Sequence, residues 1–89
     1  MVVAYLKGIE TSPGNFPNEV AIFLRDYKGE SYSGFADKKY LRDGMLEVCI
    51  LEQVGQLALV QSSDRGDGSE FLNGKRNLTV RKSDLVYVE

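Results

Sequence analysis

Eighty-nine residues make one small domain, 1–89, and leave no room for a second, since independently folding units run from about 50 to 250 residues. Hydrophobic residues at 43% and charged residues at 27% sit near the globular average, which excludes disordered, collagenous and membrane compositions. Eleven Lys and Arg against thirteen Asp and Glu give a net charge of −2 without a single His, so counterion-driven nucleic-acid binding starts from a poor position and the usual proton-transfer residue is missing.

Along the chain, residues 2–7 read as a first strand, apolar until Lys7. Residues 11–18 hold both prolines and read as a loop. Residues 19–27 then alternate Val20, Ile22 and Leu24 with Glu19, Ala21, Phe23 and Arg25, the period of two that a strand with one buried face requires. Lys28-Gly29 supplies a turn and residues 31–35 return with β-type composition, so a hairpin is expected. Residues 37–43 are the only helix candidate, with Asp37 placed to cap and Gly44 placed to end it. A β-turn followed by a strand at Tyr40-Leu41 fits that segment equally well. Residues 45–54 place Leu46, Val48, Ile50 and Val54 on one side, with Glu52 as the one charge among them, and Cys49 out of phase. Gly55 punctuates, and residues 56–62, apolar on both faces, read as a central strand paired with the preceding one. A glycine-bearing loop covers residues 63–74, and two short strands at 76–80 and 85–88 flank a single turn near Ser83.

Short strands separated by turn residues, without long helices between them, indicate an antiparallel sandwich or a small barrel, and size favours the barrel. The expectation is a mostly β fold of five or six strands with at most one short helix. Residues 77–88, Asn-Leu-Thr-Val-Arg-Lys-Ser-Asp-Leu-Val-Tyr-Val, resemble the strand, single helical turn and closing strand of SH3-like barrels. That likeness covers about twelve residues and bears on the fold, not on function. Peptide-binding SH3 domains carry an Ala-Leu-Tyr-Asp-Tyr run near the start and a tryptophan after an acidic loop. This chain has neither, so recognition of proline-rich peptides is not implied.

The leading candidate surface is Tyr27, Tyr32, Phe35 and Tyr40, interleaved with Lys28, Glu30, Asp37, Lys38 and Lys39. Aromatic rings with polar handles are enriched at protein interfaces and in cages for cations. The competing reading places two of them in the core and two beside a hairpin as cross-strand partners. Two basic groups, Lys38, Lys39 and Arg42 in one and Lys75, Arg76, Arg81 and Lys82 in the other, would follow a phosphate backbone if the fold brought them onto one face. Residues 64–70 contain an Arg-Gly-Asp tripeptide and scattered carboxylates. Their spacing fails that of a calcium loop, and a mobile acidic turn accounts for them. Asn77-Leu78-Thr79 fits a glycosylation acceptor but falls in an expected strand.

Without His, Ser-His-Asp and Cys-His arrangements are impossible within the chain, and one Cys cannot build a zinc site or an internal disulfide. Cys49 is expected to pack as a small hydrophobe. No metal and no cofactor are expected. The apolar start of the chain lacks the basic flank of a signal peptide and no run approaches the length of a membrane span, so a cytoplasmic location is expected. The favoured function is a non-enzymatic protein-binding or assembly module, working on another protein or on copies of itself. The alternative is a small nucleic-acid-binding β-barrel using the Lys and Arg groups. An enzyme with a site shared between subunits ranks third.

Overall fold

The computed structural model describes residues 2–63 and 75–88. Among them nine strands occur, in place of the five or six expected: β1 (Val2–Leu6), β2 (Glu10–Pro13), β3 (Glu19–Arg25), β4 (Ser31–Asp37), β5 (Leu41–Arg42), β6 (Met45–Val54), β7 (Leu57–Ser62), β8 (Asn77–Arg81) and β9 (Leu85–Tyr87). All pairings are antiparallel. One sheet runs β8-β7-β6-β1-β9 with β5 attached to β6, and the other runs β2-β3-β4. No helix among the described residues is long and apolar enough to cross a membrane.

Beyond the strand count, two expectations change and one open alternative is decided. The proline-bearing stretch expected as loop, 11–18, overlaps β2, which begins at Glu10 and whose four residues are all exposed. It is a strand because it pairs with β3, from Glu10 opposite Phe23 to Pro13 opposite Val20, and not because of its own apolar pattern. Residues 37–43 form no α-helix, and of the two readings the turn leading into a strand is the nearer. Asp37 does cap, accepting from the Lys39 amide at 3.0 Å, but the turn it starts is a 3₁₀ turn of three residues, Lys38–Tyr40, that runs into β5. Asp43 and Gly44, at φ 53° and 77°, make the two-residue link from β5 to β6. Positive φ at both central positions is the geometry whose twist matches paired strands. Third, Val54 does not share the buried side of its strand, being 66% exposed. The register against β7 shifts between Ile50 and Glu52, and the bulge carries the charge at Glu52 out of the apolar row. The acidic stretch 64–70 lies outside the described residues.

The core lies between the sheets. Ala4, Leu6, Leu46, Val48, Ile50, Ala58, Val60, Leu78, Val80 and Leu85 come from the larger sheet, and Ile22, Leu24, Tyr32 and Ala36 from the smaller. Each set follows the alternation of its strand, so burial selects the register: a slip of one residue would turn every apolar side chain to water. The last two strands, β8 and β9, are joined by a 3₁₀ turn, Lys82–Asp84. The sheets are also tied at the tip of the β3-β4 hairpin, where the Tyr27 amide donates to the Thr79 carbonyl at 2.9 Å.

Candidate functional site

The three-stranded sheet has an inner face that packs on the core and an outer face that does not. Cross-strand register sets the outer face in rows. Ser12, Ala21 and Phe35 stand side by side, and Glu10, Phe23 and Ser33 form the adjacent row. Phe35 is 37% exposed, and Phe23 is half-buried on the same face. Around them is a shallow groove of about 280 Å³ lined by Ser12, Ala21, Phe23, Ser33 and Phe35 among others. The Arg25 guanidinium sits 5.6 Å from the centre of the Phe23 ring, a cation-π distance. The groove shares Glu10 and Phe23 with a larger open cleft of about 700 Å³ at the hairpin end, where Lys7, Arg25, Lys28 and Arg81 face Glu10, Asp26 and Asp84. Charges of both signs line that cleft, so it has no single-sign character.

The four aromatic residues named from the sequence do not share a face. Tyr32 points inward and is only 4% exposed. Burial raises its phenol above the usual 10.0, against the lowering effect of nearby Lys75. Lys75 is itself held up by its hydrogen bond to Glu30, at 3.4 Å, and lies 5.7 Å from the centre of the Tyr32 ring. Both charged partners are about half exposed, so the pair adds little to stability. Tyr40 packs half-buried against the core with Lys39 over its ring at 5.2 Å. Tyr27 sits at the hairpin tip, where the Arg81 guanidinium donates to its carbonyl at 3.2 Å. Phe35 is the one of the four that stands on the outer face. Phe23 and Ala21 complete that face and were missing from the candidate set, although the strand period from 19 to 25 already opposed them to Ile22 and Leu24.

The basic residues are not gathered either. Arg42 pairs with Met45 at the start of β6 and lies 5.0 Å from the Tyr5 ring centre. Arg81 is level with Leu57, which pairs with Val54 at the other end of β6. The two arginines are therefore level with opposite ends of β6. Lys38 and Lys39 lie in the first 3₁₀ turn, Lys82 in the second, and Lys75 and Arg76 precede β8. Cys49 is buried, 3.5 Å from the Ser63 hydroxyl. Among the described residues no three His, Cys, Asp or Glu side chains form a cluster that could hold a metal ion. The chain matches no protein-family model, no curated protein and no solved structure.

Proposed function

We propose that this chain is a non-enzymatic protein-binding or assembly module, working in the cytoplasm without a cofactor, and that the outer face of β2-β3-β4 is its working surface. The observation that carries the reading is Phe35, an aromatic ring held more than a third exposed on the outer face of this sheet, beside Phe23 and Ala21 in one groove. Rings of this kind supply large contact area at low entropic cost. The strand, 3₁₀ turn and strand from Asn77 to Tyr87 support reading the fold as a small SH3-like barrel. The placement of Arg42 and Arg81 level with opposite ends of β6 favours a protein partner over a nucleic acid.

The test is retention from source-cell lysate on immobilised wild type, Phe35→Ala and Gln61→Ala, the last altering the outer face of the larger sheet. Proteins held by wild type and by Gln61→Ala are expected to be lost from Phe35→Ala. Retention unchanged by Phe35→Ala, or no specific retention, would overturn the reading.

A further inference from the structure

Among the described residues the sheets end on β8, β9, β2 and β4, with the two-residue β5 beside β6, and all but β4 are closed or short. In β2 the Gly14 amide donates to the Glu19 carbonyl. By antiparallel alternation Ser12 and Glu10 then bond to β3, while Thr11 and Pro13 turn their main chain outward. Pro13 has no N–H to offer, the usual way of blunting an edge. On β8 the outward carbonyl of Thr79 already accepts from Tyr27. On β9, only three residues long, the Leu85 amide is spent on the Lys82 carbonyl.

The edge of β4 differs. The Asp26 amide donates to the Glu30 carbonyl and the Lys38 amide to the Asn18 carbonyl. These two bonds frame the β3-β4 ladder and assign its bonded positions to Tyr32, Gly34 and Ala36. Ser31, Ser33 and Phe35 therefore direct their N–H and C=O groups away from β3. Among the described residues nothing bonds to them. The stretch from Ser31 to Phe35 contains no proline and no charged side chain, the two features that commonly protect an edge.

We propose that the occupant of this edge is a second copy of the chain, paired antiparallel through β4 about a two-fold axis at Ser33. The inference rests on the proposed binding role of this sheet and names its partner. Self-complementarity carries it. With Ser33 opposite the partner's Ser33, Ser31 meets the partner's Phe35 and Tyr32 meets the partner's Gly34. On the outer face each exposed Phe35 ring then stands beside the small Ser31 of the other copy, a pairing without steric conflict, while Tyr32 stays in its own core. The outward amides and carbonyls of Ser31, Ser33 and Phe35 all find partners, and the two small sheets become one continuous sheet bearing both Phe35 rings on its outer face. An isologous contact of this kind closes on itself and does not propagate into a fibre. A five-residue edge buries less than the roughly 1,000 Å² of a stable complex, so the dimer should depend on concentration.

Sedimentation velocity of the full chain over a wide concentration range tests this with three variants. Ser33→Pro deletes an outward N–H that the monomer does not use, so it should keep the melting temperature and weaken self-association about tenfold or more. Ser33→Lys and Ser33→Glu place like charges in contact and should each be monomeric, whereas mixing the two should restore a heterodimer. That mixture keeps the test sound if the proline variant fails to fold. A wild type that stays monomeric throughout, a dimer untouched by Ser33→Pro, or a charge pair that does not complement would overturn the inference. The binding role itself is judged separately, by whether Phe35→Ala loses the proteins that wild type retains.

Discussion

Tyr32 and Phe35 are three residues apart on one strand, and truncating each should have different consequences. Tyr32 is 4% exposed and sits among Ile22, Leu24 and other core residues. Cutting it to Ala removes a ring from a closed interior, which typically costs about 3 to 5 kcal/mol once the cavity is included. A domain of this size has a total stability of roughly 4 to 13 kcal/mol, so Tyr32→Ala should remove a large share of it. Phe35 is 37% exposed. Full burial of a Phe side chain contributes about 1.5 to 3 kcal/mol, and a partly exposed ring proportionately less, so Phe35→Ala should cost about 1 to 2 kcal/mol. At about 4 to 8 °C per kcal/mol for a domain of this length, the melting temperature should fall by more than about 12 °C for Tyr32→Ala. For Phe35→Ala it should fall by about 4 to 16 °C. Thermal melting followed by circular dichroism reads the two, and retention of partners is measured on whichever variant remains folded. Phe35→Ala should stay folded and lose association. Equal losses of stability, or a larger loss for Phe35→Ala, would refute the division of this strand into an inner and an outer face.

The Tyr32 phenol lies above its ordinary 10.0 because burial disfavours the phenolate. A raised folded value means that its contribution to stability is complete below pH 10.0 and is lost as pH rises through the folded value. Melting temperatures should therefore fall above pH 10.0, and Tyr32→Phe should reduce that fall; an unchanged alkaline loss in Tyr32→Phe would contradict this. The Asp26 carboxylate accepts from the Lys28 and Glu30 amides, each at 2.9 Å, and so shapes the β3-β4 turn. Asp26→Ala should cost about 1 to 2 kcal/mol in a denaturant titration, with no cost at all counting against that role. Cys49 is 5% exposed, so a thiol reagent should label it much more slowly in the native protein than in denaturant. Labelling as fast as that of the unfolded chain would show that it is not buried.

The hairpin from β3 to β4 and the long strand β6 were legible because their apolar residues alternate, and β6 occupies the expected residues. Glu52 looked misplaced in that alternation, and the cause is the bulge after Ile50, which depends on the partner strand. β2 was illegible for a related reason: a four-residue exposed edge strand carries no apolar period, and only its pairing with β3 defines it. The segment 37–43 balanced a helix against a turn and strand, and Asp37 suits either; packing of Tyr40 and Leu41 on the core goes with the turn. The candidate site was grouped by nearness along the chain. Strand geometry sorts by parity instead, which sends Tyr32 inward and Phe35 outward and brings in Phe23 from the neighbouring strand.

Amide chemical shifts of isotope-labelled protein, followed from dilute to concentrated solution and then with a retained partner, test most directly whether the three-stranded sheet is the working surface. The changes should cluster on Ser31, Ser33, Phe35, Phe23 and Ala21, and spare β8 and β9. Changes centred instead on Val86 and Tyr87, or on Arg42 and Arg81, would place the interaction elsewhere and contradict the account.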